Sequence, residues 1–184
     1  MKYPIGIQQF EKLREEDWIY VDKTEHIYNL VQGGTCYFLS RPRRFGKSML
    51  LSTLEAYFQG KKHLFKGLAI EQLETEWAEH AVLHLDLNAE KYTAPEDLTN
   101  ILDTYLREWE EKYESTEKEN PSLSQRFRSV IRAAKQKTGR NVVVLVDEYD
   151  KPMLQAIGNE ELQTEFRNAL KAFYGVLKSA DGDL

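Results

Sequence analysis

The stretch Phe38–Leu50, FLSRPRRFGKSML, decides how the rest of the chain is read. A short apolar run ends at Leu39, a basic loop follows, and a helical pattern opens at Lys47. Gly46-Lys47-Ser48 is the tail of the phosphate-binding loop G-x-x-x-x-G-K-[ST], in which backbone N–H groups wrap an anion. In that loop the lysine neutralises charge and the hydroxyl binds Mg²⁺. The following helix adds the positive end of its dipole. Arg41 stands where the first glycine is usual, and Pro42 follows it. The phosphate-facing donors of such a loop come mainly from its later positions, here Arg44, Phe45, Gly46, Lys47, Ser48 and Met49. Pro42 lies upstream of them, so its missing N–H need not harm the anion nest. It can instead stiffen a loop that lacks the first glycine. Arg41, Arg43 and Arg44 add cations that are free to meet phosphate, solvent or a partner's carboxylates.

A phosphate loop needs a metal partner, and the run NVVVLVDEYDKP from Asn141 to Pro152 offers one. Consecutive β-branched and leucine residues read as a fully buried parallel strand. The strand closes on Asp147 and Glu148, at the sheet edge where α/β proteins bind ligands. Asp147 suits Mg²⁺ coordination, direct or through water. Glu148 suits polarisation of an attacking water. Asp150 either orients Lys151 or the loop arginines, or caps the next helix.

Between these motifs the periodicities alternate. Helical spacing covers Lys47–Phe58, about 96–113, about 123–136 and about 160–178. Strand patterns cover Cys36–Leu39, Ala81–Leu87 and the 141–147 run, with a shorter extended piece at Ile19–Val21. Phe10, Leu13 and Arg14 suggest a short helix, and Asp22 or Thr24 caps a helix through Val31. ESTEKENPS is a polar loop. The order predicts an α/β fold, a three-layer sandwich with a mostly parallel sheet. Residues 1–34 read as an N-terminal extension and 35–184 as the core of a single domain.

The bulk numbers narrow the function classes. At 184 residues, with 41% hydrophobic and 30% charged residues, the chain can bury a real core. Its net charge of −5 argues against direct nucleic-acid binding unless a local patch exists. The basic residues between Arg128 and Arg140 are the candidates for one. A single cysteine, Cys36, permits no internal disulfide and fits a reducing compartment; placed in a strand, it would simply pack. There is no apolar run near the roughly 20 residues of a membrane span, and no signal-like start. The expectation is a cytoplasmic protein. The four histidines share no ligand spacing with Cys36, which argues against zinc.

Taken together, YPIGIQQFEKLRE, YVDKT, YFLSRPRRFGKS and DEYDKP resemble the blocks of the bacterial AAA-ATPase-like family, over almost the whole chain. The resemblance implies a P-loop ATPase domain of the additional-strand type, with ATP and Mg²⁺ as cofactors. It carries Lys47 and Glu148 as catalytic residues and Ser48 and Asp147 as metal ligands. It places Asp22, Lys23 and Thr24 near the nucleotide; a helix cap accounts for them equally well. Family members often carry a C-terminal nuclease-like domain of the PD-(D/E)XK type, which this segment does not contain. A protein partner or fused domain as effector, and a homo-oligomer, are compatible with this class. In additional-strand ATPases a further core strand bears the γ-phosphate sensor. The sequence reaches Leu184 where that strand is due, so the chain is expected to be truncated before it. Low stability or self-association of the isolated chain is the corollary. Three functional readings stay open: ATP hydrolysis driving an effector, a non-hydrolysing nucleotide-binding interaction module, and nucleic-acid processing through a further domain.

Overall fold

The computed structural model describes residues 2–40, 42, 45–88, 90–116 and 121–184. The chain folds as two compact units, Met1–Val82 and Leu83–Leu184.

The first unit is helical. It contains α1 (Phe10–Glu15), α2 (Thr24–Gly33), α3 (Lys47–Phe58), a 3-10 turn at Lys62–Phe65, and α4 (Ile70–Leu73). Its core is aromatic: Phe10 and Phe65 are fully buried, and Tyr57 nearly so. Phe10 meets Phe65 at 4.9 Å between ring centroids, and Phe65 meets Trp77 at 5.1 Å. Burying each such ring contributes about 1.5–3 kcal/mol. Polar ties fix the helices around it. The Phe10 N–H donates to Ser52 Oγ of α3 at 2.8 Å, and Arg14 donates to the carbonyls of Leu64 and Lys66. Tyr57 donates its hydroxyl to Glu74, and burial together with that carboxylate pushes the phenol's pKa up.

One strand expectation fails in this unit, and the extended piece at Ile19–Val21 forms no regular strand. Cys36–Leu39 is irregular, with Tyr37, Phe38 and Leu39 at 51%, 71% and 40% exposure. Cys36 is exposed as well and does not pack in a core. Ile19–Val21 is also irregular; its neighbour Trp18 makes only an isolated parallel bridge with Lys2. Apolar, aromatic composition favours burial on a pleated surface, but it does not supply a ladder partner.

The second unit carries the sheet. Strands β1 (Val82–Asp86) and β2 (Val143–Asp147) form a parallel pair. A parallel pair needs a long crossover, and α5 (Pro95–Tyr113) and α6 (Leu123–Thr138) fill it. α7 (Lys151–Gln155) and α8 (Glu160–Ser179) follow β2. Leu98, Leu102, Leu106, Trp109 and Tyr113 recur every three or four residues on α5 and are all buried. Of these, Trp109 meets Phe127 of α6 at 5.9 Å between ring centroids, and Phe127 stacks on Phe173 of α8 at 4.4 Å. α6 starts on a reciprocal cap: Ser122 Oγ accepts the Gln125 N–H, and Gln125 Oε1 accepts the Ser122 N–H. α8 starts where Asn159 Oδ1 accepts the Leu162 N–H. Arg126 staples α6 to α5 through Glu110, at 2.7 Å on two nitrogens, and Asp103.

The helices at 47–58, 96–113, 123–136 and 160–178 stand within two residues of their expected ends, as does the strand at 81–87. β2 differs from its expected full burial. Val142 and Leu145 are buried, whereas Val143, Val144 and Val146 are half-buried.

Candidate functional site

The basic half of the site lies in the first unit, at the start of α3. Gly46 immediately precedes the helix with φ +76° and ψ +24°, a left-handed conformation in which glycine carries no steric penalty. A Cβ built there would meet nothing within 4 Å, so the space in front of the residue is open. The Leu50 N–H closes the first helical turn onto the Gly46 carbonyl at 3.0 Å. Phe45 is 65% exposed, and Lys47, Ser48 and Met49 are half-buried. α3 has neither a side-chain cap nor an acid in its first turn. α5 and α8, by contrast, place Glu96 and Asp97, and Glu160 and Glu161, in theirs. Lys47 is the first residue of α3, at the positive end of the helix dipole. Arg41, Arg43 and Arg44 lie outside the described residues.

The YVDKT segment sits at the start of α2. Asp22 Oδ1 accepts both the N–H and the hydroxyl of Thr24, at 2.9 and 2.7 Å. Asp22 Oδ2 accepts the Ala69 N–H at 2.7 Å, and Thr24 Oγ1 accepts the Ile70 N–H at 3.1 Å. Partial desolvation raises the Asp22 pKa, but these donors outweigh it and hold the carboxyl below its ordinary value. The pair thus tethers α2 to the start of α4. Lys23 occupies the cap position by place, without a side-chain bond to the helix.

The acidic half lies in the second unit, where β2 ends. Asp147 is 8% exposed, one of three buried polar side chains among the described residues. Its Oδ1 accepts the Glu148 N–H at 3.0 Å. Its other oxygen has no hydrogen-bond partner among the described residues. Glu148 takes φ +51°, a left-handed backbone that a residue other than glycine adopts at a cost of about 1–3 kcal/mol. The Lys151 N–H returns to the Glu148 carbonyl at 3.0 Å, closing a turn into α7. Asp150 is the residue before α7, yet its side chain makes no cap bond. The Lys151 ammonium turns to Asn88 instead, bonding both its backbone and its side-chain oxygen.

Asn88 belongs to a feature that the sequence reading assigned no role. β1 also closes on an acid, Asp86, and the parallel register sets it beside the end of β2. The Leu87 N–H donates to the Asp147 carbonyl at 3.1 Å. Asp86 Oδ1 accepts the Asn88 N–H at 2.7 Å. Two adjacent strands thus end in aspartate on the same edge. The signal was Asp86 near the end of the 81–87 run, a sign like the one that singled out Asp147.

Gly46, Lys47, Ser48 and Met49 stand together in one unit, and Asp147, Glu148 and Asp150 stand together in the other. Among the described residues no group of three His, Cys, Asp or Glu side chains is arranged to hold a metal ion. Among them, too, no helix is long and apolar enough to cross a membrane.

A mixed α/β protein with acids at the end of a parallel strand pair, and an uncapped helix start after Gly46, is the class these features define. The family described as "Predicted AAA-ATPase" matches residues 4–184, and the chain belongs to this AAA-ATPase-like family. It is similar to an uncharacterized protein in the vnfD 5′ region of Azotobacter chroococcum mcd 1, 42% identical over 184 residues. The match covers 98% of this chain and 35% of that relative, so the chain spans about a third of the relative's length. No solved structure matches it.

Proposed function

We propose that this chain binds Mg-ATP and supports its hydrolysis, as the nucleotide-handling part of a P-loop ATPase of the additional-strand type. The observation that carries the reading is the start of α3. A left-handed glycine with open space before it, opening a helix that has no side-chain cap and no acid in its first turn, supports a site that favours an anion. Family membership supplies the nucleotide as that anion.

In this reading the backbone N–H groups from Phe45 to Met49 face the phosphates, joined by the Arg44 and Arg43 side chains. The Lys47 ammonium offsets charge between the β- and γ-phosphates. Mg²⁺, when bound, would supply neutralisation of the charge on the phosphates, and the Ser48 hydroxyl and Asp147 carboxylate would hold it. The donors fit that ion: the Ser48 hydroxyl and the Asp147 carboxylate are hard oxygens. Mg²⁺ ordinarily takes only one or two protein ligands beside phosphate and water. Glu148 accepts the proton of the attacking water, and its left-handed backbone is a strain of the kind that clusters at functional positions. The product phosphate leaves with the oxygen of that water.

Two variants of the full-length protein test the assignment. Lys47→Ala should abolish Mg-ATP binding in calorimetric titration; unchanged affinity removes the lysine from the site. Glu148→Gln should keep binding and lose steady-state phosphate release, and retained turnover would remove Glu148 as the base. Wild-type binding without any turnover would turn the protein into a nucleotide switch rather than an ATPase.

A further inference from the structure

The net charge of −5 conceals a strong local asymmetry. From Pro121 to Val146 the chain has six basic residues and no acid. The structure sorts them. Arg126 is spent on Glu110 and Asp103, Lys137 on Glu114, and Lys135 on Asp183 and the Gly182 carbonyl. Arg128 meets only a neutral hydroxyl, Ser179 Oγ at 2.9 Å. Arg132 has no hydrogen-bond or ion-pair partner among the described residues. It lines a surface recess of about 490 Å³ with Lys135, Gln136, Gly139 and Asp183. Arg128, Arg132 and Lys135 follow each other at i, i+4 and i+7, so they form one stripe along α6. The neighbouring helix repeats the arrangement. α8 presents Arg167, Lys171 and Lys178, all exposed and on one face, with no acid between Phe166 and Ala180.

Helix stability does not account for this stripe. Cations in a last turn are favoured by the dipole, which explains Lys135 and Lys137. Arg128 and Arg132 sit at mid-helix, where that effect has faded. Their guanidinium groups are uncompensated donors suited to phosphate. No large apolar side chain interrupts the stripe, as insertion into a lipid surface would require. No aromatic ring on it offers a base-stacking platform for single strands either. Asp183, the acid inside the recess, is held by Lys135, and acids beyond about 8–10 Å are screened.

We propose that the α6–α8 surface binds the phosphate backbone of duplex nucleic acid without reading its sequence. This inference does not rest on the nucleotide site. The test is fluorescence anisotropy of the full chain with a labelled duplex of about 30 base pairs, over a salt series. Three to five phosphate contacts give a slope of about −3 to −5 in log K against log salt. The double reversal R128E/R132E should lower affinity at least tenfold at about 50 mM salt and flatten the slope by about 2. K137Q, at a lysine already held by Glu114, should change neither. If the double reversal does not fold, R128Q/R132Q should show the same loss in weaker form. Absence of binding at about 50 mM salt, or an unchanged slope in the arginine variants, overturns the proposal. Equal affinity for polyglutamate or for anionic phosphatidylserine vesicles also overturns it, by removing nucleic acid as the occupant.

Discussion

Replacing Gly46 with alanine separates what the α3 start does for stability from what it does for ligand. The left-handed φ of +76° costs a residue with a Cβ about 1–2 kcal/mol. Nothing lies within 4 Å of the new methyl, so no clash adds to that figure. The variant should therefore unfold in urea with a stability loss of about 1–2 kcal/mol. In thermal terms the midpoint should fall by about 2–8 °C. The same methyl would stand in the open space where, in the proposed site, phosphate approaches the backbone. Mg-ATP affinity should consequently fall by more than about thirtyfold, more than about 2 kcal/mol of conformational penalty alone would give. Gly67 provides a matched control in the same unit: its φ is +78° and its surroundings are equally open. Gly67→Ala should lose the same stability and keep full affinity. Two results would refute the reasoning. If both variants bind Mg-ATP alike, Gly46 serves only as a turn residue. If Gly46→Ala loses more than about 4 kcal/mol, the loop is packed rather than open, since losses of that size require a buried mechanism.

Other expectations follow from the polar ties. Arg126→Met should destabilise the second unit by about 3 kcal/mol, the lower end for breaking a buried pair, because the Arg126 side chain keeps 15% exposure. A denaturation midpoint equal to wild type would show that the staple contributes nothing. The Asp22 carboxyl, held below its ordinary pKa by the Thr24 and Ala69 donors, stabilises the charged state of the folded protein. Its contribution is complete above the ordinary aspartate value of about 3.9 and is lost as pH falls through the lower folded value. Asp22→Asn leaves the Ala69 N–H facing an amide donor, or an oxygen turned away from Thr24. It should cost about 1–3 kcal/mol at neutral pH and flatten that acid limb. A limb identical to wild type would assign the acid transition to other carboxylates.

The long helices were legible because their information is local. On α5 and α8 the apolar positions repeat at three and four, and acids or cap residues mark the starts. Strands are less self-contained. Cys36–Leu39 has strand composition, yet its backbone is irregular and its aromatic side chains stay exposed. The Val142–Val146 run was read as buried on all sides, yet three of its valines are half-buried beside β1. In both segments the sequence reports a capacity for burial, while exposure depends on neighbours that no local window contains. The site shows the same division. Gly46 and Lys47 announce themselves by spacing, as do Asp147 and Glu148. The alignment of Asp86 with Asp147 arises only when β1 and β2 pair in register, so it had to come from the fold.

Because each half of the proposed site is held within its own unit, the two can be tested separately by hydrogen exchange. The Phe45–Met49 N–H groups open a helix without a side-chain cap and should exchange fast in the absence of ligand. The turn from Glu148 to Lys151 carries a strained φ at Glu148, and its exchange without ligand is the reference for the second half. ATP with a chelator should protect residues 45–50 alone, since the loop and Lys47 hold phosphate without the metal. ATP with Mg²⁺ should in addition slow exchange across 146–151, as the Asp147 carboxylate gains a charged partner. At one hundred times its dissociation constant the ligand adds about 2.7 kcal/mol to the folded state, ample for a measurable change. Protection at 45–50 without any metal-dependent change at 146–151 would detach Asp147 and Glu148 from the nucleotide. The α3 start would then be an anion site that acts alone. No protection at either segment would remove the nucleotide altogether. An effect at 146–151 that appears equally with Mg²⁺ alone would make the acidic edge a metal site in its own right.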